Sequence, residues 1–179
     1  MSRTAHITLL ARYNEWMNNK LYDAAAALPA AELAADRGAF FGSLLGTLNH
    51  IAVADTIWLK RIASHPRFAA MLAPVADLPA PAALDQPLFD SLAALRERRT
   101  WLDRLILDWT AGLDEADLDA VISYRRMNGE ANNRQLALLL QHFFNHQTHH
   151  RGQATTLLSQ AGVDVGVTDL LLLIPEAEV

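Results

Sequence analysis

The sequence predicts an all-α protein: a four-helix bundle with a long loop crossover and a small β-hairpin before its last helix. Three observations carry that prediction. Apolar residues recur at spacings of three and four, while period-two alternation is scarce. Four segments of this kind are long enough to be bundle helices. A proline-rich connection separates the second from the third. At 179 residues the chain reads as one domain spanning 1–179, large enough to bury a core without staples.

The first helix carries Leu10, Tyr13, Met17, Leu21, Ala24 and Leu28 on one face, and Pro29 ends it. The second begins after Ser43, a side chain suited to the N-cap, and runs through Leu48, Ile51, Asp55, Trp58 and Ile62 to Pro66. It is apolar around most of its circumference, so it should be buried on more than one side. From Pro66 to Pro87 come five of the chain's seven prolines, read as a loop lying over the surface. The third helix has a stripe from Leu88 and Leu92 to Trp109 and Leu113, with Arg96, Glu97, Arg98, Asp103 and Arg104 on a solvated outer face. Val121 to Arg126 favour a strand, and Asn128-Gly129 favours a turn, giving the hairpin. The fourth helix should start near Asn132 or Asn133 and end at Gly162, with Leu170 to Ile174 packing back as an extended tail.

Composition narrows the function. Fifteen basic against 20 acidic residues leave a net charge of −5 with His neutral, which argues against a nucleic-acid binder. The absence of Cys excludes disulfides, thiolate ligands, Cys nucleophiles and iron–sulfur clusters. Arg12 and Glu15 interrupt the N-terminus before an apolar core of signal-peptide length develops, and the uncharged window Gly38–Ala54 is too short and polar to span a bilayer. The expectation is a cytoplasmic protein with no membrane partner. Any bound metal must use nitrogen and oxygen.

The chemistry concentrates in the histidines. Four of seven fall within His142, His146, His149 and His150. Residues four apart share a helix face, so His142, His146 and His150 form a ladder flanked by His149. A lone helical histidine is more often a surface or hydrogen-bonded residue, and His6 and His65 read that way. A cluster beside Phe143 and Phe144 is explained more economically by a metal than by four separate structural roles. Spacing leaves the pairs His146/His150 and His146/His149 both open, with His50 able to complete a three-nitrogen site from the second helix. A di-iron centre is set aside, because no His has a carboxylate three residues before it. Gly42 to Gly46 is not a nucleophile elbow; Ser43 reads as a cap.

The run His146-Gln147-Thr148-His149-His150-Arg151-Gly152-Gln153 resembles the DinB family of DinB/YfiT-like metalloproteins. The likeness extends to Tyr13–Asn18, to Gly42–His50 with Asp55 and Trp58, to Tyr124–Gly129 and to Gly162–Leu171, while the Pro/Ala loop shows no pattern. The resemblance implies a four-helix bundle, often a homodimer, holding a divalent ion through His50, His146 and His150. His142 and His149 would then support or border that site. The family's ions are zinc or nickel, and three imidazoles suit such ions better than Mg²⁺ or Ca²⁺. Relatives include transferases and isomerases that use low-molecular-weight thiols, so the leading expectation is a metal-dependent transferase with a small thiol cosubstrate. A metal-dependent hydrolase and a non-enzymatic metal-binding stress-response protein are the alternatives. The family name reflects damage-inducible expression. Tyr13, Asn14 and Arg151 are candidates for holding substrate, with a structural ion pair the competing role for Arg151.

Overall fold

The computed structural model describes residues 1–176. The helices run α1 (Arg3–Ala25), α2 (Ala30–Ala34), α3 (Leu44–Ala63), α4 (Pro66–Ala69), α5 (Ala73–Ala76), α6 (Leu92–Ala111) and α7 (Leu136–Gln160), with strands β1 (Val121–Arg125) and β2 (Ala131–Gln135) between the last two. The four long ones form the bundle. α1 packs on α6 and α7, and α3 packs on the same two, so α1 and α3 occupy opposite corners although they are consecutive bundle helices. The core between them holds Leu21, Tyr22, Leu48, Leu59, Leu102, Ile106, Trp109, Phe143 and Leu158.

Local chemistry fixes most helix ends. Ser2, Ser43 and Ser91 each sit in extended backbone and accept a hydrogen bond from the amide three residues on, capping α1, α3 and α6. α7 closes with Val163 N–H donating to Leu158 C=O at 2.9 Å and Gly162 N–H to Ser159 C=O at 3.0 Å, the paired bonds of a Schellman end.

Several expectations require correction. The segment from Pro66 to Ala76 is not a surface loop. Pro66 and Pro74 sit in the first turns of α4 and α5, where a missing N–H costs nothing. These single turns drive Phe68, Leu72 and Val75 into the core. Irregular chain follows only from Leu78. The third bundle helix begins after Ser91, leaving Leu88 outside it, and Asp103 is buried instead of solvated. α7 begins at Leu136, because Asn132 and Asn133 pair in β2 with Tyr124 and Ser123. Pairing outweighs the capping preference of asparagine. The hairpin is as expected, but its turn is longer than Asn128-Gly129 alone: Gly129 N–H donates to Arg126 C=O at 2.9 Å and takes φ 85°, the three-residue form with a left-handed glycine. Leu170–Leu173 form a 3₁₀ turn instead of an extended tail; it packs back on α1 with Leu170 and Leu173 half-buried, while Leu171 and Leu172 stay exposed.

Candidate metal centre

α3 and α7 lie against each other, and their contact brings His50 to His146 and His150. His146 and His150 are one turn apart on α7, as the ladder predicts, with Nε2 atoms 3.1 Å apart. His50 Nε2 lies 3.2 Å from each of them. The remaining ring nitrogens decide what these short contacts mean. His50 Nδ1 is 2.8 Å from the Leu84 carbonyl, which can only accept, so Nδ1 carries the proton and Nε2 presents a lone pair. His150 Nδ1 donates in the same way to Gln153 Oε1 at 2.8 Å. Two neutral imidazoles thus aim lone pairs at one point, and the single ring left, His146, has one Nε2 to share between them. No arrangement of protons satisfies all three contacts as hydrogen bonds. A cation does. Nitrogens placed tetrahedrally at about 2.05 Å from an ion stand about 3.3 Å apart, close to the spacing found.

Surroundings hold the rings neutral. Burial, then the neighbouring His150 and His50, pushes His146 down to about 3. Burial also lowers His50 and His150, against the opposing pull of the Leu84 carbonyl and Gln153 respectively. Phe41 stacks on His50 with ring centres 3.8 Å apart and meets the edge of His150 at 5.5 Å. A second tier fixes the chain around the site: Asn49 Oδ1 accepts from the amides of Leu88 and Phe89, and its Nδ2 donates to the Phe89 carbonyl, pinning the end of the segment that carries Leu84 to α3.

A model of the DinB family matches residues 1–178. The chain belongs to the DinB family. No curated protein and no solved structure matches it.

Within this DinB-family chain the other expected residues fall into two groups. His142 borders a cavity of about 370 Å³ that opens beside His50 and His146, and its ring packs on Trp58 at 5.2 Å. His149 is exposed and meets the edge of His150 at 4.8 Å. Neither donates to a triad ring among the described residues. Tyr13, Asn14 and Arg151 lie away from this cavity. Asn14 is fully buried between Asp103 and Arg151; Arg151 donates to Asn14 and to Gln147 Oε1; the Tyr13 hydroxyl donates to the Thr168 carbonyl at 2.7 Å. Asn14 and Arg151 are tied into the interior, Tyr13 is half-buried, and the hydrogen-bond partners of Arg151 are amides and a hydroxyl instead of a carboxylate.

Sequence reasoning missed Phe41, Leu84 and Gln153. Gln153 was recoverable, since it stands three residues after His150 on the same helix face. Phe41 and the Leu84 carbonyl come from irregular segments and leave no periodic signal.

Proposed function

We propose that this DinB-family protein holds one divalent ion, zinc or nickel, through His50, His146 and His150, and acts as a metal-dependent transferase that moves a group onto a small thiol. The observation that carries this reading is the convergence of three Nε2 atoms within 3.2 Å, two of them fixed as acceptors by the bonds their Nδ1 atoms make. An ion held by three neutral imidazoles supplies Lewis acidity at an open position, favouring the deprotonated form of a thiol or water that reaches it.

The chain's own residues prepare that position. The Leu84 carbonyl and Gln153 set the tautomer and orientation of two rings, a support that raises ligand basicity. Phe41 covers one face of His50 and limits water on that side. The cavity beside His50 and His146 gives a cosubstrate room to approach. Because the chain has no Cys, the thiol must arrive from solution. The same opening admits water, which supports a metal-dependent hydrolase as the second reading. The family resemblance adds a homodimer and expression under DNA damage to the proposal.

Elemental analysis of untagged protein tests the ligand set. About one zinc or nickel per chain is expected in wild type and in His65→Ala, with stoichiometric metal absent from His50→Ala and His146→Ala. Full occupancy in either of the last two variants would remove the assignment.

A further inference from the structure

Beside the cavity at the triad lies a second, of about 520 Å³, and the two share Trp58, Arg61, Arg126 and His142 as lining. Three arginines line these adjoining cavities: Arg61 from α3, Arg126 from the hairpin turn and Arg134 from β2. None of the lining residues is acidic.

Arg61 is the informative one. Its guanidinium lies 4.7 Å from the Trp58 ring centre and 4.9 Å from that of Tyr124, beside two aromatic rings that meet each other edge-on at 5.2 Å. Among the described residues its side chain has no carboxylate within ion-pair range and no hydrogen-bond partner. Burial and the charge of Arg126 both press against its protonated form. The neighbours do not quench this positive field. Arg126 meets only Glu130 across the turn, at 3.2 Å with both side chains about half exposed, a pair too solvated to bind tightly. Arg134 is exposed and donates to the carbonyl of the adjacent Asn133. A half-buried guanidinium with idle donors, in a recess free of carboxylates, is matched by an anion brought in from outside.

We propose that Arg61, assisted by Arg126 and Arg134, binds the anionic end of a small substrate whose reactive group sits at the His50–His146–His150 triad. The inference rests on the metal-centre reading for the second half of that statement only. Spacing sets the substrate's length. His50 and Arg61 lie eleven positions apart on α3, about 16 Å along its axis, and the Arg61 side chain leans back toward Trp58 and the triad. The anion and the reactive group are therefore separated by several bonds, as in a thiol carrying a carboxylate on an extended arm. Adjoining recesses of about 370 and 520 Å³ match the size of a small-molecule ligand.

Matched probes separate the two halves. Zinc-loaded protein is titrated calorimetrically with 6-mercaptohexanoate, with 6-mercaptohexanol, which lacks the anion, and with hexanoate, which lacks the thiol. Mercaptohexanoate is expected to bind tightest. Arg61→Gln should weaken it and hexanoate by about tenfold or more, the loss of charge-assisted hydrogen bonds, and leave mercaptohexanol unchanged. Arg134→Gln, on a different element, should weaken the same two probes, so the result does not depend on one variant folding well. If mercaptohexanoate binds no tighter than hexanoate while the arginine effects persist, the anion site stands and the thiol-at-metal reading fails. Binding of hexanoate and mercaptohexanoate that is undetectable in wild type, or equal in wild type and both arginine variants, overturns the anion site.

Discussion

Protonation of single residues gives the triad its readiness. Free imidazole titrates at about 6.5, and burial holds His50, His142, His146 and His150 below that value. A group whose native pKa is depressed contributes stability above its unfolded value, and that contribution is lost as pH falls toward the native one. For His146 the window runs from about 6.5 down to about 3. Burial moves Asp55 the other way, up to about 6, so its contribution is complete below its ordinary value near 3.8 and is lost as pH rises through 6. Burial raises Asp103 as well, and four imidazoles against these two carboxyls decide the sign. The urea midpoint of metal-free protein is expected to fall between pH 7 and pH 5, with a shallower fall in His146→Gln. A midpoint that is flat or rises over this range in wild type would contradict the burial argument. The same residues show how far sequence reaches at this scale. His146 and His150 were legible because one helix presents both, whereas spacing alone left His149 as an equal candidate. His50 was a candidate by residue type and position, but its assignment as a ligand came from the family resemblance, since pairing across two helices leaves no mark in the order of residues.

At the scale of an element, the start of α3 shows why a glycine stands at position 46. Ser43 Oγ accepts from Gly46 N–H at 3.0 Å, and a Cβ at this position would fall 2.2 Å from the Phe41 carbonyl oxygen. The backbone before α3 folds down onto its first turn, and that descent lays Phe41 over His50. Gly46→Ala is expected to lower stability by about 1–3 kcal/mol, measured by urea titration, because the obstacle is backbone with little room to give. The change should also loosen Phe41 from His50. Elements were legible where the chain marks them locally. Ser43 as a cap, the strand character of the run from Val121 to Arg126 and the glycine after α7 could all be read directly. The Pro66–Pro87 segment could not, because proline reads as a breaker when it can equally occupy a first helical turn. What decides between those roles is the tertiary burial of Phe68, Leu72 and Val75.

Across the whole molecule, a buried polar layer links the four bundle helices. Asp55 on α3 pairs with Arg99 on α6 at 2.5 Å, and Arg99 lies 3.0 Å from Asp103. Asn14 and Asn18 on α1 donate to Asp103, while Gln147 on α7 donates to Asp55 and accepts from Arg151. Sequence reasoning placed Asp103 on the solvated face because a charged residue on a helix usually stands there. Only the positions of three other helices reveal that it has partners. Arg99→Met is expected to cost about 3–5 kcal/mol at pH 7, since two buried carboxylates would lose their cation. The loss should shrink at pH 5, where Asp55 takes up a proton; an equal loss at both pH values in urea titrations would argue against the charge explanation. Much of the rest of the interior is leucine and alanine, which grip one another almost equally well after a slide of one turn. The polar layer does not. Moving any one helix along its neighbours by a turn would strand ions in oil, so these few side chains act as a key that admits a single alignment. The spacing of the three imidazoles, which tolerates only tenths of an ångström, inherits its accuracy from that key.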